Sequence, residues 1–252
     1  AGSLIANEGP NPLSFSDSRA SYRASLSWHA SDKVMLFGTY STGYKSGGFN
    51  SGSSPAPLIT ATTPTARNFE SETANDVEVG VKSIFLDGRW LLNATFFNTE
   101  LKDFQDRSFN GASFVTRNSG NVRSRGVDLD GRILATSHVT FSYAATFLDA
   151  IYKKADKAPG LEGCTTLCPT VQDLTGETIS YAPRTHAVAG VEWRSNALGN
   201  GAVFSAGASY AYTSSFLTAN TNNPQSRLPG YRTTDARIAL TGADQKWQVE
   251  LY

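Results

Sequence analysis

Ten strand-length segments of period-two alternation, connections that alternate between short and long, and four stretches whose charge falls on one face predict an all-β chain. Together they define an antiparallel up-and-down transmembrane β-barrel, of which this sequence holds about ten strands. The segments are 19–30, 33–44, 72–86, 89–104, 121–134, 138–151, 183–194, 202–217, 231–241 and 246–252. Helical periodicity is almost absent, and no run approaches the roughly 18 apolar residues of a membrane helix.

The connections sort by length. Ser31-Asp32, Asp87-Gly88, "ATS" at 135–137, "SNALGNG" and "GADQ" are short, and Asp-Gly is hairpin-turn chemistry. Between them come long segments: 45–71, a loop after 104, 152–182 and 218–230. A barrel with short turns at one rim and long loops at the other has this pattern, whereas a soluble sandwich has no reason to sort loops by parity.

The faces agree. Val77, Val79, Val81, Ser83 and Phe85 carry no charge, nor do Val127 to Ile133, Val139 to Phe147 and Ala187 to Trp193 taken at every second position. Their alternate neighbours include Asp76, Glu78, Lys82, Asp128, Asp130, Arg132 and Glu192. One face suits hydrocarbon and the other a wet interior. All four tryptophans, Trp28, Trp90, Trp193 and Trp247, lie beside a short turn, as expected of an interfacial girdle in which the ring is half apolar and the N–H is wet.

Composition narrows the partners. Formal charge is zero and only 17% of residues are charged, which gives no reason to expect nucleic acid. No cofactor motif is present, and the isolated His29, His138 and His186 build no catalytic constellation, so no enzyme is expected. Cys164 and Cys168 in "CTTLC" lack the additional ligands of a zinc site. They are either two free thiols or a local disulfide that implies an oxidising compartment. Ala1 opens in a loop-like Gly/Asn/Pro-rich segment and Tyr252 falls inside an apolar alternation, so the sequence reads as part of a longer chain.

"YSTGYKSGGFN" at 40–50 has the Gly38 and Gly43 spacing of a phosphate loop, but Tyr44 intrudes before Lys45 and no helix pattern follows. At the end of a strand it resembles instead a motif of TonB-dependent outer-membrane receptors. "FESETANDVEVGVKSIFLDGRWLLNATFFNTELKDFQ", "RNSGNVRSRGVDLD" and "LPGYRTTDARIAL" followed by "KWQVELY" are similar to further segments of that family, in the same order. The resemblance implies a 22-stranded barrel filled by an N-terminal plug. It places this chain near the C-terminal end of the barrel domain, 1–252, with the plug and final strand outside it. It further implies the outer membrane of a Gram-negative cell, energy from TonB, and a scarce cargo such as an iron–siderophore complex.

Implied partners are outer-membrane lipid and lipopolysaccharide, the protein's own plug and the TonB complex; no cofactor is implied. Tyr40 and Tyr44 suit the outer aromatic belt, while Lys45 is either solvated or among lipopolysaccharide phosphates. Cargo contacts are expected in the outer loops, at Arg67, Phe104, Gln105, Arg107, Phe109, Phe114 and Arg117, whose cationic and aromatic groups suit an anionic chelate. A passive porin-like channel and a soluble β-rich carbohydrate-binding module are the alternative classes.

Cys164 and Cys168 are predicted to be bonded to each other in the mature protein. The ring is small, so loop shape rather than chain entropy is the main effect. Unreduced peptide 154–184 should be lighter by two hydrogens in mass spectrometry; free thiols after export would contradict the pairing.

Overall fold

The computed structural model describes residues 2–6, 13–50, 67–109, 114–156, 158–161 and 171–252. Its main body is one ten-stranded sheet. The strands are β1 (Arg23–Ser31), β2 (Val34–Lys45), β3 (Glu72–Phe85), β4 (Trp90–Lys102), β5 (Asn121–Leu134), β6 (Val139–Lys154), β7 (Thr185–Arg194), β8 (Val203–Thr213), β9 (Tyr231–Thr241) and β10 (Gln248–Leu251). Each is hydrogen-bonded antiparallel to its chain neighbours, in strict sequence order. The five short turns lie along one edge and the four long connections along the other.

Residues directly opposite in an antiparallel pair share a face, so the register carries one strand's alternation across the sheet. One row runs Gly38, Val79, Phe96, Val127, Phe147, Thr185. The next row along the strands, on the opposite face, runs Phe37, Gly80, Thr95, Asp128, Thr146, His186, Thr213. The sheet therefore has an apolar face and a polar face, with the phase expected from the sequence. Leu26, Val79, Phe96, Phe141 and Phe147 are exposed on the apolar face. On the polar face the charges are engaged. Asp130 accepts from Asn93 Nδ2 at 2.9 Å, Asp76 from Thr99 Oγ1 at 2.7 Å and Asp128 from Thr146 Oγ1 at 2.6 Å. Arg237 bridges Glu192 at 2.7 Å and Glu250 at 3.2 Å.

Large rings lie over glycines on neighbouring strands. A Cβ on Gly80 would stand 2.6 Å from the Phe37 ring and 2.7 Å from Ala94 O; one on Gly131 would stand 2.5 Å from the Tyr143 hydroxyl. Tyr143 crosses Gly131 to accept from Trp90 Nε1 at 3.0 Å, which ties three strands near the short-turn edge. The turn 86–88 is tighter than Asp-Gly chemistry alone suggests, since Leu86 and Asp87 also hold positive φ, 50° and 55°. Asp87 in turn pairs with Lys33 of the adjacent turn at 3.0 Å.

Several boundaries differ from those expected. β1 starts at Arg23 rather than 19, and β8 ends at Thr213 rather than 217. After β8 the strand-forming pattern continues but the partner changes: Phe216–Leu217 pairs with Arg227–Leu228 in a separate ribbon. β6 runs on to Lys154 because β5 follows it through a register shift at Asn121/Val122. The opening segment, expected to be a loop, contains a hairpin of Gly2–Ala6 with Leu13–Asp17. Lys45 lies opposite Glu72 in a polar-face row and is exposed; Tyr40 and Tyr44 lie on the apolar face.

Gly80→Ala should cost about 1–3 kcal/mol, the usual range for overpacking, because Phe37 is pinned between strands. Urea unfolding of the refolded barrel in lipid vesicles measures it. A variant as stable as the parent would show that the Phe37 ring moves aside freely.

Candidate functional site

The long-loop edge is built as a second layer on the sheet. Each long connection carries a two-stranded ribbon: Gly48–Phe49 with Asn68–Phe69, Gln105–Phe109 with Phe114–Asn118, Ala158–Pro159 with Val171–Gln172, and the 216–217/227–228 pair. Alternating residues would be unpaired edge strands if they simply left the sheet, and the ribbons satisfy part of that backbone.

Side-chain amides lace the ribbons together. Gln105 is 7% exposed, and its Nε2 donates to Ser46 O at 2.9 Å and Glu70 O at 3.0 Å. Its own N–H donates to the Glu72 carboxylate at 2.7 Å. Asn50 donates from Nδ2 to Thr116 O at 2.8 Å and accepts from Thr116 N–H at 2.7 Å, a reciprocal pair between the first and second long connections. Asn118 repeats the device with Glu70, accepting its N–H at 2.7 Å and donating to its carbonyl at 2.9 Å. Asn220, in the fourth connection, donates to the buried Asp106 carboxylate and to Arg107 O at 3.2 Å, and accepts from Ser180 Oγ of the third. All four connections are therefore joined.

Beneath them is a small apolar core of Val122, Tyr152, Ala155, Ala158 and Leu174, each at most 3% exposed. Phe104 packs against it, ring centroid 6.3 Å from that of Tyr152. The turn that seats Leu174 is closed by Asp173. Hydrogen bonds from the Thr175 side chain and N–H hold its carboxyl below the usual carboxylate range.

The residues expected at cargo fall into two groups. Gln105 and Phe104 brace the loop bases, and Arg67 is buried at the foot of the first ribbon, where its carbonyl accepts from Asn50 N–H at 3.0 Å. Arg107 and Phe114 are exposed together, the guanidinium 5.1 Å from the ring centroid. Arg117 is half-buried on the same ribbon, opposite Asp106, and Phe109 pairs through its backbone with Phe114. Cys164 and Cys168 lie outside the described residues. Trp28, Trp90 and Trp193 sit on the apolar face beside the short turns, and Trp247 covers Gly242 in the last of them. Among the described residues no three His, Cys, Asp or Glu side chains converge as a metal site.

Asn50 and Asn118 fall inside motifs that the sequence singled out, at the end of 40–50 and the start of "NSGNVRSRGVDLD", but without a bracing role; Asn220 carried no signal. Asparagine in a long polar loop is ordinary, and its partners lie up to 114 positions away.

Gln105→Ala removes the buried donor to the Ser46 and Glu70 carbonyls, a loss worth about 1–3 kcal/mol of local stability. Amide exchange at 70–72 should accelerate by about tenfold or more, with little change at 127–133 in the sheet. Unchanged exchange at 70–72 would mean that the loops are held by other contacts.

Residues 3–252 match a family model described as TonB dependent receptor-like, beta-barrel. The fold is similar to the ferric yersiniabactin uptake receptor FyuA from Yersinia pestis, at 17% identity and TM-score 0.67 over 93% of this chain and 32% of that one. It is also similar to the siderophore receptor PiuA from Acinetobacter baumannii, at 21% identity and TM-score 0.62 over 91% of this chain and 30% of that one. The ferric preacinetobactin receptor BauA from the same organism gives 18% identity and TM-score 0.62, over 92% and 30%. This chain spans about a third of the length of those structures.

Proposed function

The chain belongs to the TonB-dependent receptor β-barrel family, and from that premise we propose that it is a stretch of wall from an outer-membrane active-transport receptor for a scarce nutrient. The observation that carries the reading is the sorted meander: short turns on one edge, laced long loops on the other, and one apolar face between them. In this reading the apolar face meets lipid and the polar face lines the lumen. The tryptophans then form the periplasmic girdle, and the laced loops stand outside the cell.

The cargo is an iron–siderophore complex. The names of similar structures support this class, which include receptors for ferric yersiniabactin and ferric preacinetobactin. Arg107 and Phe114, with Arg117 beside them, make the cargo contact from this segment. A cation stacked on an aromatic suits an anionic, ring-bearing chelate. The receptor's own plug fills the lumen against the hydrogen-bonded carboxylates of β3 to β5. Energy arrives through TonB by way of segments outside this chain, lipid and lipopolysaccharide surround the wall, and no reaction is assigned to it.

Uptake of radioactive ferric siderophores by iron-starved cells tests the reading. Deleting the gene should abolish uptake of at least one complex, and deleting TonB should do the same with the gene intact. Accumulation that persists without TonB would indicate passive passage instead.

A further inference from the structure

The apolar face changes character as its strands approach the long loops. Val79, Phe96, Val127 and Phe147 form one apolar row across β3 to β6. Two residues further toward the loops, about 7 Å along the strands, the same face holds Tyr40, Val77, Asn98, Arg125 and Asp149. The next row holds Thr42, Asn75, Glu100, Arg123 and Ile151, and the one beyond it Tyr44, Thr73 and Lys102. We propose that this belt on β4 to β6 binds a phosphorylated lipid of the outer leaflet. The phosphate sits on Arg123, Arg125 and Arg184, and an acyl chain lies below on Phe96, Val127 and Phe147. The proposal rests on the reading that turns this face to lipid, and gives one lipid a place and a chemistry there.

Charge in the belt is out of balance. Arg123 Nη2 and Arg125 Nε share a single oxygen of Asp149, at 3.0 and 3.1 Å, and Lys153 takes Glu100 at 2.9 Å. Lys102 and Arg184 add two more cations, and among the described residues neither side chain has an ion-pair partner. Arg123, Arg125, Arg184, Lys102 and Lys153 therefore face only the carboxylates of Asp149 and Glu100. Isolated exposed pairs would be ordinary surface contacts. The surplus of cations is what calls for an anion, and guanidinium forks match phosphate oxygens two at a time.

Below the cations the wall is apolar. Arg125, Asp149 and Arg184 stand around a shallow cavity of about 350 Å³ whose other lining includes Phe96, Val127, Phe147 and Leu148. Such a cavity suits a ligand that is apolar at one end and multiply negative at the other. A soluble anion would use only its upper part, and a neutral lipid only its lower part. The level fits as well. Tyr22, Tyr40 and Tyr44 are exposed on the same face, Tyr40 in the row of Arg125 and Tyr44 in the row of Lys102. The Tyr22 and Tyr40 rings stand 6.2 Å apart. Tyrosine marks the boundary between membrane and water. The guanidiniums are then at headgroup depth, with their stems on hydrocarbon and their charge in the polar layer. The main chain is ordered before any lipid arrives. Arg123 and Arg125 are paired with strands on both sides, and Arg184 O accepts from Leu148 N–H at 2.8 Å. Binding has only side chains to order, which lowers its entropic cost.

The test titrates the full-length receptor in detergent with diphosphorylated lipid A and reads bound lipid by native mass spectrometry. Fully dephosphorylated lipid A should bind about tenfold or more weakly, the loss expected for charged hydrogen bonds. Arg123→Gln combined with Arg125→Gln should weaken the diphosphorylated lipid by about tenfold or more, and Arg184→Gln by about threefold or more. Arg194→Gln, near the short turns, should change it less than about twofold. Unchanged β-sheet circular dichroism identifies folded variants; should the double variant not fold, Arg184→Gln decides. Equal retention of the dephosphorylated lipid overturns the proposal, as does undiminished binding by the folded variants. Displacement of the lipid by inorganic phosphate at equal concentration would assign the site to a free anion and overturn the lipid source. Phosphate-dependent lipid binding without TonB-dependent uptake would keep this site and remove the transport reading. Uptake with phosphate-independent lipid binding would do the reverse.

Discussion

Register is the constraint on which the rest of the structure depends. Every strand of the sheet is paired with its chain neighbours, and opposite residues share a face, so a single choice of phase decides the environment of every side chain in the wall. A slip of one residue in β3 would carry Glu78 and Lys82 to the apolar face and bury Val79 and Val81 against polar groups. In a bilayer a charge near the midplane costs about 2–4 kcal/mol, more than any single surface contact recovers. The register is held by short turns at one edge, by rings seated over Gly80 and Gly131, and by the Tyr143–Trp90 hydrogen bond across three strands.

The long-loop edge follows from the same geometry. Strands that outrun the sheet leave N–H and C=O groups that must find partners, and they find them in ribbons and in Asn and Gln side chains. An amide side chain both donates and accepts, so Asn50 and Asn118 each clasp another segment's backbone with one residue, and Asn220 joins two segments at once. The result is a surface whose exposed cationic groups, such as Arg107, are carried on ordered main chain.

The wall was legible in the sequence because its cause is local. Alternation in Val77–Phe85, the Asp87-Gly88 turn and tryptophans beside turns all act within a few residues. The apolar phase chosen from composition is the one the register imposes. What escaped was tertiary. Nothing near Gln105 says that its amide will be buried between Ser46 and Glu70, and its polar, loop-like neighbourhood suggested a surface contact instead. The hairpin at Gly2–Ala6 and Leu13–Asp17 is too short to stand out against the turn-forming residues around it. Strand ends shifted where β-forming sequence continued but changed partner, as at Phe216. Arg125 and Arg184 are far apart in the chain, and only the pairing of β5 with β6 and of Leu148 with Arg184 brings them to one cavity.

The face assignment is tested most directly by spin labels placed singly on cysteines at 76 to 79 and at 81 and 82 of β3, in the full-length protein in lipid. Labels at 77, 79 and 81 should collide readily with lipid-dissolved oxygen and poorly with a polar nickel reagent. Labels at 76, 78 and 82 should show the weaker oxygen access of a plug-lined or watery interior. Free access of the nickel reagent to position 79, or accessibility without a period of two, would contradict the placement of this sheet in a membrane wall.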